Sequence, residues 1–104
     1  MEIINLDFDF EKLINSVDKP TAYKIFWTID LLKKFGRKLQ MPYCKKVTAN
    51  IFELRIRRKI EVRLFYYFHN EQIILFHNFI KKTQKIPKNE IKNLLNKIKR
   101  FDLI

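Results

Sequence analysis

Residues 51–68 read IFELRIRRKIEVRLFYYF, with apolar side chains at alternate positions on either side of a short basic interruption. Such alternation predicts two strands that each turn one face toward a core. The predicted core residues are the even-numbered ones, Phe52, Leu54, Ile56, Val62, Leu64, Tyr66 and Phe68. A three-residue turn over 58–60 joins the two strands as a hairpin.

The flanking sequence predicts one more strand and three helices. Residues 73–80, IILFHNFI, are apolar at both parities, as in a strand that is buried on two sides. An i, i+3, i+4, i+7 pattern predicts a short helix over about residues 9–17, although the alternation that leads into it also fits a strand. A second helix begins near Pro20 and ends before Gly36, and the last helix begins at Pro87.

Both longer helices carry an apolar stripe that we expect to face the core. In the second helix the stripe consists of Ala22, Ile25, Phe26, Ile29, Leu32 and Phe35. In the last helix it consists of Ile91, Leu94, Leu95, Ile98 and Phe101, while Lys92, Lys97 and Lys99 face solvent. The elements predict one α+β domain over residues 1–104, in which an N-terminal helical hairpin packs on a small antiparallel sheet and a C-terminal helix follows.

The chain is strongly basic, with 22 Lys and Arg against 11 Asp and Glu. The net charge is −3 in residues 1–30 and +14 in residues 31–104, which predicts a polyanionic or acidic partner. The single Cys44 and the two histidines offer neither a disulfide within the chain nor a zinc-type cluster. We expect no signal peptide, no membrane span and a cytoplasmic location.

The predicted hairpin register places Arg55 directly opposite Arg63. Two opposed like charges repel unless an anion or an acidic group lies between them. A guanidinium binds phosphate oxygens in a bidentate way, and Phe65 and Tyr67 share this parity and can stack on bases. The pattern predicts a phosphate site for single-stranded nucleic acid, and the alternative is a solvated face on which Glu53 neutralises Arg55.

Three segments carry a family resemblance: KKVTANIFELRI at 45–56, VRLFYYF at 62–68 and IILFHNFIKKTQKIPKNEI at 73–91. They resemble the phage-derived, HigB-like branch of the RelE/HigB toxin superfamily, over roughly residues 24–101. The F-x-K-K-T-Q-K-x-P block is the most specific part of the match.

This resemblance implies a RelE-like fold and the toxin of a type II toxin–antitoxin system. Such a toxin is a ribosome-dependent mRNA endoribonuclease, and its partners are mRNA on the ribosome and a cognate antitoxin, a small helix-turn-helix protein. The cleavage route requires neither a metal nor another cofactor. The alternative is a non-catalytic or ParE-like protein of the same fold, either a topoisomerase inhibitor or a decayed phage protein.

The candidate site combines the resemblance with the strand pattern. The catalytic candidates are Arg55, Arg63, Lys81, Lys82 and Glu53. The RNA-binding candidates are Lys45, Lys46, Arg57, Phe65, Tyr67 and Lys85. Arg55, Arg63 and Lys82 are expected to stabilise the phosphorane. Either lysine of the Lys81–Lys82 pair, or Glu53, is expected to accept the proton of the 2′-hydroxyl, although ion pairing is the more ordinary role for that glutamate.

Three positions depart from the family pattern. Val62 stands in place of a tyrosine, which is expected to weaken base stacking, and Asn78 stands in place of a glycine. Ile86 replaces the threonine that would cap the last helix, at a cost of about 1 kcal/mol. None of the three changes removes a cation.

Three further side chains have a structural and a functional interpretation. His77 lies in the doubly apolar strand and is expected to be a hydrogen-bonded core residue rather than a catalyst. His69 lies at a turn and is expected to be exposed. Trp27 lies off the apolar stripe of its helix, so it either makes a second contact surface within the fold or binds a partner.

Overall fold

A computed structural model describes residues 1–48, 50–81 and 88–100 of the chain. The helices are α1 (Phe10–Ser16), α2 (Lys19–Phe35) and α3 (Lys88–Arg100), and a 3-10 turn, Gly36–Lys38, follows α2. The strands are β1 (Glu2–Asn5), β2 (Cys44–Thr48), β3 (Ile51–Arg57), β4 (Glu61–His69) and β5 (Gln72–Lys81). The predicted α+β class is confirmed. Within the described ranges no helix has both the length and the apolar character needed to cross a bilayer.

The five strands form one mixed sheet in the order β1-β5-β4-β3-β2. Strands β3 to β5 pair antiparallel as predicted, β2 adds an antiparallel edge strand that was not predicted, and β1 lies parallel to β5 with Glu2 opposite Gln72. Both patterns in the opening residues therefore correspond to an element: the alternation forms β1, and the helical pattern that follows it forms α1. With a neighbour on each side, β5 is an interior strand, which its apolar sequence predicted.

The β3–β4 hairpin has the predicted register. Arg55 lies opposite Arg63, and Arg57 lies opposite Glu61. The next connection is a two-residue loop in which Asn70 and Glu71 have φ values of 48° and 63°. Positive φ at both central residues is typical of the tight hairpin turns whose twist matches that of the flanking strands.

Strand β5 has apolar side chains on both faces of the sheet, and it contains a bulge. Phe65 pairs with His77, but the next residue, Tyr66, pairs with Leu75, so the register shifts by one residue at Phe76. An extra residue in one strand lets two successive side chains lie on the same face. Phe76 and His77 consequently both lie on the side of Phe65.

Helices α1 and α2 cover one face of the sheet. The core residues there are Leu13, Ile25, Leu32, Cys44, Leu54, Ile56, Val62, Leu64, Tyr66, Ile73 and Leu75. Asp18 begins α2 by accepting a 2.9 Å hydrogen bond from the backbone N–H of Thr21. Hydrogen bonding from the Thr21 side chain, and then from this N–H, lowers the pKa of the carboxyl. The even-numbered core face that the sequence predicted for the hairpin is confirmed.

The buried stripe of α2 differs from the predicted one. Phe26 and Phe35 were expected in the core, but each is 46% exposed, and Thr21 and Thr28 are buried instead. Thr28 can be buried because its hydroxyl donates a 2.6 Å hydrogen bond to the carbonyl oxygen of Lys24. The buried stripe is therefore rotated around α2 from the predicted one. The prediction missed this rotation because it considered only apolar residues.

Helix α3 packs on the opposite face of the sheet. Its Leu94 joins a second core of Ile51, Phe65, Phe76 and Phe79, with Tyr67 at the margin. Leu95 was predicted in the same stripe but is half exposed, because it lies about 100° around the helix from Leu94. The side chains of Ile91 and Ile98, together with Pro87 and Phe101, lie outside the described residues.

Gly36 ends α2 as predicted. Its φ is 54° and its N–H donates to the carbonyl oxygen of Leu32. A Cβ at this position would lie 2.7 Å from the Sδ atom of Met1, the far end of a flexible side chain. The backbone conformation, more than the clash, therefore requires glycine.

We expect Gly36→Ala to lower the free energy of unfolding by about 1–3 kcal/mol, because alanine rarely adopts a positive φ. Urea denaturation followed by circular dichroism measures the loss. Lys38→Ala, in the same exposed turn, is the control and should change stability by less than about 0.5 kcal/mol. Equal stability of the two variants would contradict a glycine requirement at position 36.

Candidate functional site

The basic cluster lies on the face of the sheet that α3 covers only in part. We use this name for six side chains on β3, β4 and the end of β5: Glu53, Arg55, Arg57, Glu61, Arg63 and Lys81. Strand pairing sets them in adjacent rows. Arg57, Glu61 and Lys81 form one row, and Arg55 and Arg63 form the next.

Arg63 is the most deeply buried cation of this cluster, at 1% exposure. Its Nη2 donates to Oε2 of Glu61 at 3.1 Å, and its Nε lies 3.8 Å from Oε2 of Glu53. Burial lowers the pKa of the Arg63 guanidinium, while the charge of Glu53 acts in the opposite direction. The group stays charged at neutral pH, because arginine is not deprotonated in proteins.

Glu53 bridges the two opposed arginines. Its Oε1 lies 3.8 Å from Nε of Arg55, and its other oxygen faces Arg63. Arg55 also donates from Nη1 to the Sδ atom of Met41 at 3.5 Å. The acidic group that the register demanded is therefore present. Glu53 is buried, whereas the alternative considered from the sequence was a solvated strand face.

Two guanidinium nitrogens of the cluster, Nε of Arg55 and Nη1 of Arg63, are buried and make no hydrogen bond. Buried donors normally have hydrogen-bond partners, and a buried donor without one costs about 1–3 kcal/mol. Within the described ranges the cluster holds four cations and two carboxylates, so positive charge remains. The residual positive charge is typical of a site that attracts an anion.

Glu61 is a functional candidate that the sequence analysis missed. Its carboxylate lies 3.1 Å from Arg63, 3.6 Å from Arg57 and 4.0 Å from Lys81. It therefore lies beside one cation from each of the strands β3, β4 and β5. The predicted hairpin register already set Glu61 opposite Arg57, so the signal was available in the sequence.

The structure separates the predicted lysines. Lys45 pairs across from Glu53 and has the parity of the basic cluster, whereas Lys46 pairs across from Phe52 and has the opposite parity. Both lysines line an open cavity of about 400 Å³ at the β2 edge. Lys82 and Lys85 lie outside the described residues.

The two predicted stacking aromatics lie in the second core. Phe65 is 1% exposed and stacks on Phe79 with ring centroids 5.7 Å apart. Tyr67 contacts Phe76 edge to face, and partial burial raises the pKa of its hydroxyl. The structure thus gives Phe65 a packing role beneath α3 where we expected an accessible ring. The sequence could not show this, because it did not indicate which face α3 would cover.

His77 ties α3 to the sheet. Its Nε2 lies 3.3 Å from Oε2 of Glu90, and its Nδ1 lies 2.8 Å from Nζ of Lys97. Burial lowers the pKa of His77, and the charge of Lys97 lowers it further. In the neutral ring Nδ1 accepts from Lys97 and Nε2–H donates to Glu90. Lys97 is therefore an internal donor and not the solvated side chain that the helix pattern predicted.

Two departures from the family pattern have a structural explanation. Val62 is fully buried in the core beneath α1 and α2, so a tyrosine at this position would also point away from the basic cluster. The expected loss of base stacking therefore does not apply. The side chain of Asn78 donates to the buried carboxylate of Asp7 and links β5 to the segment after β1. Ile86, the third departure, lies outside the described residues.

A family model described as phage derived protein Gp49-like matches residues 12–99. The chain belongs to the Gp49-like family. Gp49-like proteins belong to the RelE/HigB-like toxin group, which confirms the resemblance at that level. No curated protein shows significant similarity to the chain.

We expect Glu53→Gln to lower the free energy of unfolding of this Gp49-like protein by about 3 kcal/mol, because two opposed arginines lose their shared counter-ion. Inorganic phosphate should raise the unfolding midpoint of the variant more than that of the parent, since it replaces the lost charge. Thermal unfolding with and without phosphate measures both effects. Glu71→Gln, at an exposed turn, is the control, and equal behaviour of the two variants would contradict the bridging role.

Stability should also depend on His77. Because its pKa in the folded protein lies below the ordinary 6.5, the unfolded chain binds the proton first, and stability falls as the pH drops from about 6.5 toward the lower folded value. We expect His77→Gln to flatten this part of the urea-unfolding profile measured between about pH 5 and 7. His69→Gln, at an exposed position, is the control. A parent-like slope in the His77 variant would contradict the assignment.

Proposed function

We propose that this chain is the toxin of a type II toxin–antitoxin system and that it cleaves mRNA on the ribosome. The observation that carries the proposal is the pair of opposed arginines, Arg55 and Arg63, with unbonded guanidinium nitrogens and residual positive charge. A phosphodiester matches that arrangement in charge and in hydrogen-bond acceptors. Membership of the RelE/HigB-like toxin group supports the same interpretation.

The basic cluster can lower the barrier to RNA cleavage by stabilising charge. Attack of the 2′-oxygen on the adjacent phosphorus builds negative charge on the phosphorane oxygens, and fixed cations at that place stabilise it. In our proposal Arg55 and Lys81 contact the phosphate, and Arg63 acts from beneath them. A buried charge acts strongly there because little water screens it. Lys82 is the further cation that the family pattern adds.

Proton transfer needs an acceptor for the 2′-hydroxyl proton and a donor for the departing 5′-oxygen. Glu61 is better placed than Glu53 to accept, because 35% of its side chain is exposed against 10% for Glu53. Glu53 holds two arginines and serves as their ion-pair partner. Lys81, next to Glu61 at the rim, is our candidate for supplying a proton to the 5′-oxygen.

The proposed partners follow from the same surface. The ribosome would present the mRNA in the bent geometry that in-line attack requires, which the cluster alone does not impose. An antitoxin would silence the toxin by covering the basic face with an acidic segment. We propose a small helix-turn-helix protein for that role, since the family resemblance implies one.

Inducible expression of the chain in a bacterium, with and without the adjacent reading frame, tests the proposal. We expect rapid growth arrest, cuts in translated regions of a defined mRNA by primer extension, and relief by the neighbouring protein. Arg55→Gln, Lys81→Met, Arg63→Ala and Lys82→Ala should each reduce cleavage by about 100- to 1000-fold, as expected on loss of one group that stabilises the transition state.

Lys59→Gln is the matched control, because it removes a cation from the exposed β3–β4 turn. Since Arg63 is buried, its variant is interpreted only after circular dichroism shows native folding. Arrest that persists in the Arg63 and Lys82 variants would overturn the proposal. DNA damage with intact mRNA would indicate the topoisomerase-inhibiting alternative.

A further inference from the structure

We propose that Trp27 and Tyr43 form a platform on which a base of single-stranded RNA stacks beside the basic cluster. We call these two rings the aromatic shelf. The inference rests on the proposed function, because it assumes that an RNA phosphate lies at Arg55. It adds a base-binding subsite, which the predicted residues Phe65 and Tyr67 do not supply from the second core.

Tyr43 lies beside the two opposed arginines, at the start of the edge strand β2. Its carbonyl oxygen accepts a 2.8 Å hydrogen bond from the backbone N–H of Arg55, and Arg55 in turn pairs across from Arg63. Trp27 lies on α2 and meets Tyr43 through the contact between their rings. The shelf is therefore next to Arg55 at the β2 edge of the sheet.

Both rings of the shelf have free surface. Trp27 is 50% exposed and Tyr43 is 37% exposed, and their ring centroids are 6.0 Å apart at an interplanar angle of 70°. The edge-to-face contact holds each ring in place, and both residues keep solvent-exposed surface. Met41, which accepts from Arg55, connects the shelf to the cluster.

The charge around the shelf favours a nucleic acid over a protein. Arg55 lies next to Tyr43, and the exposed Lys45 follows two residues later with the same parity. Aromatic rings interleaved with cations bind single-stranded nucleic acid, because the cations hold the backbone and the rings accept any base. An apolar peptide would gain nothing from these cations.

Trp27 is the only tryptophan of the chain, so its fluorescence reports on the shelf directly. The full chain is titrated with hexauridylate and with an abasic ribose-phosphate hexamer of equal charge. We expect hexauridylate to quench Trp27 emission and the abasic probe to bind without quenching. Anisotropy of labelled probes measures both affinities.

Variants separate the shelf from the cations. Trp27→Leu and Tyr43→Leu should each weaken hexauridylate binding by about 5- to 100-fold and leave the abasic probe unaffected. Arg55→Gln should weaken both probes to the same extent. Phe8→Leu, which alters a ring that is 94% exposed elsewhere, is the control and should change neither affinity.

The outcomes distinguish the two proposals. Equal binding of both probes without quenching would overturn the shelf and leave the phosphate site intact. No binding of either probe would overturn both. Unchanged RNA affinity in the Trp27 and Tyr43 variants, with weaker capture of the antitoxin, would overturn the shelf and assign that surface to the protein partner.

Discussion

The guanidinium group of Arg63, buried directly opposite Arg55, constrains everything around it on this face of the sheet. Two cations in adjacent strands repel, and removing one of them from water adds a desolvation cost. The fold meets both costs with Glu53 between the pair and Glu61 on the far side of Arg63. Two carboxylates do not cancel the cations of the cluster, so the face keeps a preference for anions.

On this face of the sheet, charged and aromatic side chains lie at opposite ends of the strands. The end next to the β3–β4 turn carries the charges, while the other end carries aromatic rings that α3 covers. The bulge at Phe76 makes this division possible, because it directs Phe76 and His77 into one layer beneath the helix. Since His77 is hydrogen-bonded to both Glu90 and Lys97, α3 is fixed over the aromatic end.

Alternation along one hairpin was enough to predict its register and the opposed arginines, and the helical periodicities around it completed the α+β class. Local patterns could not reveal long-range pairing, so β1 beside β5 was missed, as was the strand nature of the lysine-rich β2. The predicted register already placed Glu61 opposite Arg57, but the sequence analysis did not name Glu61 as a site residue. The buried position of Phe65 depends on where α3 docks, and Thr28 is buried through a backbone hydrogen bond that a count of apolar residues ignores.

Pairing of β1 with β5 also has a consequence for folding. Residues 2–5 lie beside residues 72–75, so roughly 70 residues separate the two halves of this ladder in the chain. The hydrogen bond from Asn78 to Asp7 spans a similar interval. A growing chain cannot make these contacts until β5 has left the ribosome, although the β3–β4 hairpin pairs within a short stretch of chain. High contact order thus delays completion of the sheet until late in synthesis or after it.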